Sequence, residues 1–496
     1  MPRIAIVGAG IAALTAALTL RDAGLACDLY EAAGRAGGRI RSDAATWSNG
    51  LVSDLCGEFI DADHTTVHQL IGRFGLPTIA LGAGPAGQAP ALMYAANRFY
   101  AADASARDLQ SLGPILRRQM RDAGFPTTYA QHTEAGLSLD RLSAYEWIER
   151  HVPGGHETGG GRYLDMACTG LYGLDTTEQS ALNLVYLFGS WLPEDNTETD
   201  SSPSTPHVAP HALPHATARD SATSGPMRTT TKIAGGNEQL PQAIVRALPE
   251  DAIHLGHELV ALERHADDTL ILTFATPAGP IQVPYDHVIL TLPFSALRRV
   301  DCDRAGFDAL KRTAIAELAY GTISKLFLEF DTPYWFTDGP WPRPHSGFVI
   351  TDLDIQTLWD GAIGHSGPGA LLVNYTSGHR GAAYAPPAAY ATTDDSPTVE
   401  DYAQTCLRQV ERVFPGISAH YTGRAALSFP TGDPHLGGAY ACWRVGQYTR
   451  FAGYEGVRQG HIHFAGEHCS LEYQGYMEGA AQEGVRAARE LLHDLD

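Results

Sequence analysis

The sequence lacks the features that would mark a nucleic-acid binder, a membrane protein or a disulfide-framed domain. Against 56 aspartates and glutamates it carries 35 lysines and arginines, a formal net charge of −21. That leaves no basic surplus to neutralise phosphates, so nucleic acid is excluded as a partner. The acidic balance serves solubility, with at most a weak attraction for cationic small molecules. Seven cysteines, at 27, 56, 168, 302, 406, 442 and 469, are odd in number and nowhere spaced as CxxC. This usage predicts reduced thiols in a cytoplasmic protein, with neither a disulfide frame nor a zinc site. No apolar run is long enough to span a bilayer. The first strand begins at residue 3, which leaves no room for a signal peptide. What remains is ordinary globular material, 44% hydrophobic and 18% charged over 496 residues, enough for about two to four domains.

The first forty residues carry the strongest pattern. Arg3-Ile4-Ala5-Ile6-Val7 is a short apolar run suited to a buried parallel strand. It feeds Gly8-Ala9-Gly10-Ile11-Ala12-Ala13, and Leu14 to Ala23 then has helical spacing. Gly24 breaks the helix, and Ala26 to Tyr30 reads as a second strand ending at Glu31. Strand, turn, helix, strand and acid together form a βαβ dinucleotide fingerprint, with alanine in its third small position. Gly8 permits the tight turn, Gly10 lets the backbone approach a pyrophosphate, and Ala12 and Ala13 keep the helix start small, Ala13 so that helix and strand pack closely. The helix N-terminus offers N–H groups to phosphates. Glu31, twenty-one residues after Gly10, is placed to accept bonds from ribose hydroxyls.

The fingerprint alone does not separate NAD from FAD. Immediately after Glu31 comes a second glycine-rich loop, Ala32-Ala33-Gly34-Arg35-Ala36-Gly37-Gly38-Arg39-Ile40. Such a loop can fold over the pyrophosphate, with Gly37 and Gly38 allowing close approach and Arg39 as a charge partner. From here the chain resembles the flavin-dependent amine oxidases, the family of monoamine oxidases, polyamine oxidases and L-amino-acid oxidases.

The rest of the sequence extends that resemblance. Cys56-Gly57-Glu58-Phe59-Ile60-Asp61 stands where the family passes a glycine pair close to the isoalloxazine, and only Gly57 is present. No arginine lies between Gly57 and Gln69, the place where venom L-amino-acid oxidases carry a carboxylate-binding one. His64 to Phe74 reads as a helix, 81 to 95 as loop, and Asp103 to Asp122 as a helix interrupted at Gly113-Pro114. Ser143 to His151 and Ser180 to Trp191 are further helices of a block expected to roof the substrate cavity. Asn196 to Thr231 is a low-complexity segment with a degenerate Pro-His-x-x repeat. Its His207, His211 and His215 would align for a metal on a helix, but Pro206, Pro210 and Pro214 forbid that helix. A flexible loop is expected there, and no metal.

Order returns at Ile233-Ala234-Gly235-Gly236-Asn237-Glu238-Gln239-Leu240-Pro241, similar to the family's GGN-x-LP stretch with one extra residue. Strands are expected at Ala252 to His254, Glu258 to Arg264 and Leu270 to Phe274. The resemblance places Val260 beside the adenine. Tyr285 to Pro293 reads as a buried strand. Gly321 to Phe330 is an apolar strand with Lys325 in its middle. By resemblance that lysine holds a water beside flavin N5 and assists reoxidation by dioxygen, its charge offsetting developing superoxide. Leu371 to Thr376 is a strand and Thr398 to Phe414 a helix. In Gly437-Gly438-Ala439-Tyr440-Ala441-Cys442, Ala439 occupies the position where monoamine oxidases attach flavin through cysteine, so FAD is expected to be non-covalent. In His463-Phe464-Ala465-Gly466-Glu467 and Gly475-Tyr476-Met477-Glu478-Gly479, the family places Gly466, Glu467 and Met477 against the cofactor, with a helix N-terminus aimed at the flavin pyrimidine. Tyr440 and Tyr476 would flank the substrate as an aromatic sandwich.

The implied fold is α/β: a Rossmann-like FAD-binding domain of the two-dinucleotide-binding type, with an interleaved α+β substrate domain and helical block. Residues 1–80, 232–300 and 432–496 are assigned to the FAD-binding domain, 81–195 and 301–431 to the substrate domain, and 196–231 to the flexible loop. The implied function is oxidative deamination of a primary or secondary amine, or an L-amino acid, with dioxygen as acceptor and hydrogen peroxide as product; a homodimer is the family-level expectation. Two alternatives stay open. One is a desaturase or oxidative-decarboxylating monooxygenase on the same fold, against which Lys325 and the Tyr440/Tyr476 pair speak. The other is a non-catalytic flavoprotein binding module, disfavoured by the acidic charge and the lack of a long coiled-coil insert.

Overall fold

Four apolar residues in a row, Ile4–Val7, can be buried on both faces only inside a sheet covered on both sides. They form the centre of a five-stranded parallel sheet in the computed structural model, which describes residues 2–81, 91–100, 102–191 and 230–495. The order is Ile462–Phe464, His287–Leu290, Ile4–Val7, Asp28–Glu31, Ile253–Leu255. Every pairing in it is parallel. Its strands are drawn from the N-terminal, middle and C-terminal parts of the chain. Helix Ile11–Asp22 makes the first crossover and is buried along most of its length. The last helix, Met477–Leu495, lies against it. The approach is close enough that a Cβ at Gly484 would stand 2.2 Å from the Ala12 carbonyl.

A second sheet has eight strands, in the order Tyr390–Thr392, Tyr421–Ser428, Ile323–Phe330, Ala370–Ser377, Thr357–Asp360, Val349–Thr351, Leu92–Ala95, Arg98–Tyr100. Ile323–Phe330 is a central strand, with all eight residues buried. Lys325 therefore sits inside the sheet, opposite Tyr375 on one neighbour and Ser428 on the other. The chain has three lysines, Lys232, Lys311 and Lys325, and each is buried.

The helical block comprises Ala102–Ala123, Glu134–Asp140, Ala144–His151, Gly159–Tyr172 and Ala181–Trp191. Ser143 and Glu146 start the third of these with a reciprocal capping box, satisfying two N–H groups at the helix end. Three differences from the sequence expectations stand out. Helix Ala102–Ala123 runs through Pro114. Leu112 and Leu116 bury its inner face, and Met120 packs on Gly189 of the neighbouring helix; tertiary packing outweighs the one hydrogen bond that proline removes. Within the stretch expected to be loop, Leu92–Ala95 is a buried strand. Ala96 and Asn97, both at positive φ, turn it into a hairpin with Arg98–Tyr100, the backbone a two-residue hairpin turn requires. The strand Ile281–Tyr285, also unforeseen, completes an antiparallel sheet with Glu258–Arg264 and Leu270–Ala275. The histidine repeat at 206–217 lies outside the described residues. All seven cysteines are free. No helix among the described residues is long and apolar enough to cross a membrane.

Candidate active site

In an open parallel sheet, ligands bind beyond the carboxyl ends of the strands. A cavity of about 370 Å³ opens there and continues from the parallel sheet to the eight-stranded one. Its first end is built by the N-terminal fingerprint. Gly8 holds φ +105°, and a Cβ there would come within 2.4 Å of Thr291 Oγ1. At Gly10 a Cβ would meet nothing within 4 Å, so the backbone faces open space. Gly10 is also the N-cap of helix Ile11–Asp22, with no side chain capping it. The helix's unpaired N–H groups thus face the cavity, as a pyrophosphate requires. The second glycine loop folds back on this turn through Gly37 N–H to the Ala9 carbonyl at 2.8 Å, and Gly38 packs on Gly10.

Glu31 lines the cavity beside this turn. Its Oε2 accepts from Ala9 N–H at 2.7 Å and its Oε1 from Ala33 N–H at 2.9 Å. Each oxygen keeps a second lone pair for a ribose hydroxyl. Burial raises its carboxyl above the ordinary range, and the two N–H bonds oppose the rise. Val260 lines the same end, as do Ala12, Arg299 and Val300. Ala13 does not: it is fully buried in the core between helix and sheet, the packing role the fingerprint gives its third small position.

Arg39 and Glu467 meet where the two halves join. Arg39 Nη1 donates to Glu467 Oε1 and to the Ala439 carbonyl, each at 2.7 Å. Glu467 also accepts from Gly475 N–H at 2.8 Å and Ala441 N–H at 3.2 Å. It therefore ties the glycine loop, the Tyr440 segment and the start of the last helix together. Gly466, Met477 and Gly57 line this region, and a Cβ at Gly57 would press on Met477 Sδ at 3.2 Å. Glu478, one residue on, points away and caps helix Thr65–Arg73 by accepting from Thr66 and Val67 N–H at 2.8 and 2.9 Å.

The far end is aromatic. Tyr440 and Tyr476 both line it, together with Tyr375, Trp359, Phe348 and Phe59. Tyr440 Oη donates to the Leu171 carbonyl at 2.6 Å and lies 3.0 Å from Tyr375 Oη. With the Tyr440 proton spent on Leu171, Tyr375 is the donor in the second bond. Burial pushes the Tyr440 and Tyr476 hydroxyls well above their ordinary range, so both stay neutral. Lys325 Nζ donates to the Cys56 carbonyl at 2.8 Å, the Glu58 carboxylate at 2.9 Å and the Asp54 carbonyl at 3.1 Å. An ammonium has three donors, so a water at this site would have to displace one of these partners. Glu58 takes a further bond from Trp359 Nε1 at 3.4 Å. Nearby Asp54 is pushed up to about 6, chiefly by burial and then by Glu58.

Apart from Ala13, the structure gathers around one cavity every residue expected from the sequence to bind the cofactor or act in catalysis. Sequence reasoning missed Tyr375, Trp359 and Phe348. Tyr375 is set opposite Lys325 by pairing across the eight-stranded sheet, and Trp359 and Phe348 join it through ring contacts, none of which a single sequence displays.

A family model described as flavin containing amine oxidoreductase matches residues 11–492. The putative L-amino-acid oxidase YobN of Bacillus subtilis (strain 168) is 24% identical over 501 residues, covering 98% of this chain and 94% of its own. Putrescine oxidase of Kocuria rosea is 22% identical, covering 99% and 95%. The solved structure of cyclohexylamine oxidase from Brevibacterium oxydans IH-35A covers 100% of this chain and 99% of its own, with a TM-score of 0.78 and 19% identity, a likeness of fold.

Proposed function

The chain belongs to the family of flavin-containing amine oxidoreductases, and from that premise we propose that it holds FAD non-covalently and oxidises an amine to an imine, with dioxygen as final acceptor. Hydrolysis of the imine then releases an aldehyde or keto acid and ammonia or a smaller amine, and the oxygen leaves as hydrogen peroxide. The observation that carries the reading is the continuity of the cavity: one space runs from Gly8, Gly10 and Glu31 to Tyr440 and Tyr476.

Gly8, Gly10 and the first helix N-terminus would hold the pyrophosphate, Glu31 the ribose, Val260 the adenine side, and Gly466 and Met477 the flavin end. FAD, when bound, supplies a two-electron acceptor for the substrate's α-hydride and passes those electrons to dioxygen. The chain's own residues do the rest. Hydride loss needs the neutral amine, whereas a free alkyl amine has a pKa of about 10. The neutral, buried rings of Tyr440, Tyr476 and Tyr375 offer an ammonium no counter-ion, exclude water and fix the amine's orientation. The Lys325 side chain stands at the cavity wall, where its ammonium would offset negative charge formed during reoxidation.

The lining favours an amine without a carboxylate. Among the described residues, its arginines are Arg39 and Arg299. Arg39 is engaged by Glu467 and Ala439. Arg299 is two residues from Asp301, whose N–H bonds the Val260 carbonyl on the adenine side. Anaerobic mixing of the purified yellow protein with monoamines, polyamines and L-amino acids tests this. Bleaching of the flavin band by amines, with peroxide on admitting air, is the expected outcome. Bleaching by L-amino acids alone would place a carboxylate-binding cation in the pocket, and bleaching by none, where dithionite succeeds, would turn the function to a desaturase or a binding role.

A further inference from the structure

Outside this cavity, the parallel sheet carries a second cluster of chemistry-bearing side chains. His287 opens the strand His287–Leu290. The edge strand beside it places His463 in register with Ile289. Side chains alternate along a strand, so His287, Ile289 and His463 share one face of the sheet. His461 lies on that face too, its ring stacked on His287 with centroids 4.6 Å apart. The last helix packs against these strands and brings Glu490 and Asp494 to the rings.

The hydrogen bonding around His463 is one-sided. Its Nδ1 lies 2.8 Å from Glu490 Oε2. A carboxylate only accepts, so Nδ1 carries a proton, which leaves Nε2 as the ring nitrogen able to serve as a ligand atom. That Nε2 is buried without a hydrogen-bond partner, and it faces Asp494 Oδ2 at 3.7 Å. His463 is fully buried and His287 6% exposed, and His287 Nδ1 is likewise unpaired. One ligand atom from each of His287, His463 and Asp494 lies within 4.8 Å of the other two. An imidazole nitrogen and a carboxylate oxygen that face each other this closely are joined by a shared cation, either a proton on the ring or a metal ion.

We propose that His287, His463 and Asp494 form a site for a divalent transition cation of the zinc class, bound by two imidazole nitrogens and one carboxylate oxygen. Zinc–nitrogen and zinc–oxygen bonds are about 2.0–2.2 Å. Two ligands on one tetrahedral ion therefore stand roughly 3.4 Å apart, and the His463–Asp494 gap needs to tighten by a few tenths of an ångström. Glu490 is the outer carboxylate that fixes the tautomer of His463, the arrangement common around metal-bound imidazoles. Two imidazoles with one carboxylate select zinc, nickel or cobalt over magnesium and calcium. Arg458 is ion-paired with Asp494, and Arg486 stands 3.4 Å from Glu490. Both compete with the cation for carboxylate charge, which sets the affinity below that of a closed structural zinc site. The bound ion would fasten the last turn of the last helix to the edge of the sheet, while the first turn of the same helix lines the cofactor cavity.

Untagged, flavin-loaded protein is stripped with a chelator, dialysed and titrated with Co²⁺, whose visible d–d bands lie to the red of flavin absorption. The expected result is one equivalent of tetrahedral Co²⁺, displaced by Zn²⁺, with a higher melting midpoint in Zn²⁺. His463→Gln and Asp494→Asn abolish the band at unchanged flavin content, and His461→Gln keeps it. Absence of a stoichiometric band, or a band that survives both His463→Gln and Asp494→Asn, overturns the proposal. So does a melting midpoint indifferent to Zn²⁺, which would mean that a proton on His463 fills the gap.

Discussion

Lys325 Nζ lies 2.9 Å from Glu58 Oε2, and the two side chains are 7% and 5% exposed. The two groups are paired in a wall of the cavity that also holds Trp359. Removing one partner of a buried pair strands the other charge, at a cost of about 3–5 kcal/mol, while replacing both is far milder. Lys325→Met is therefore expected to lower the melting midpoint sharply, and Glu58→Gln combined with Lys325→Met to recover most of it. Activity separates from stability in this cycle. Both variants lack the cation, so both are expected to reoxidise reduced flavin about 10²-fold more slowly. Melting curves and stopped-flow reoxidation rates on the four proteins check this; a double variant that regained oxygen reactivity would remove Lys325 from the oxidative half of the cycle.

Tyr440 is fixed by two hydroxyl bonds, to the Leu171 carbonyl and to Tyr375. Tyr440→Phe keeps the ring and leaves the Leu171 carbonyl and the Tyr375 hydroxyl without their partner, at about 1–3 kcal/mol for buried groups. A severalfold fall in kcat is expected, with the ring still in place. Tyr440→Leu removes the aromatic wall itself and is expected to cost about tenfold more. The limb of kcat/KM that rises with pH belongs to the substrate's own ammonium, so it should fall at the same pH in wild type and Tyr440→Phe. A shifted limb would make the hydroxyl a proton carrier.

Local rules sufficed wherever the chemistry is held by neighbours in the chain. The turn at Gly8 and Gly10, the acid Glu31 and the glycine loop lie within forty residues, and each has a steric or electrostatic reason readable from its own position. Lys325 was conspicuous because a lysine in an apolar strand needs a partner, and the structure supplies Glu58, which had been singled out separately. The partnership itself was not legible, since 267 positions separate the two residues. Tyr375 and Trp359 were invisible for the same reason: they look like ordinary core residues until the eight-stranded sheet sets Tyr375 opposite Lys325 and brings the Trp359 ring within 5.6 Å of Lys325 Nζ. The helix through Pro114 shows the converse, a local rule overridden by packing of Leu112 and Leu116.

Ala439, which by resemblance takes the place of the linking cysteine of monoamine oxidases, lines the cavity and offers no nucleophile. Cys442 is no substitute. It is fully buried, its Sγ accepts from Asn183 Nδ2 at 3.5 Å, and burial raises its thiol far above the ordinary range. Acid precipitation is expected to leave all the yellow colour in the supernatant. Ala439→Cys should retain a fraction of flavin in the washed pellet, and Cys442→Ser should change nothing. Colour bound to the wild-type pellet would mean a covalent link elsewhere in the cavity.

Glu455 gives stability a pH dependence of its own. Its carboxyl is pushed up to about 8 by burial. Oε2 accepts from Gly453 N–H at 2.8 Å, and Oε1 is buried with no partner, the surroundings of a protonated acid. The folded chain holds this proton between the unfolded value near 4.5 and the folded value near 8. The contribution is therefore complete below about pH 4.5 and is lost as pH rises through 8. Lys311, whose Nζ donates to the Glu455 carbonyl at 2.6 Å, runs the other way. Burial lowers it to about 8 from 10.5, so its penalty fades as pH rises across that window. Glu455→Gln keeps the acceptor for Gly453 and places an amide where the proton sat. It is expected to melt with the wild type near pH 5 and above it near pH 8.5, by an amount equivalent to a few kcal/mol. Melting curves that stay parallel across this range would mean that Glu455 is ionised throughout, with Lys311 as its counter-ion.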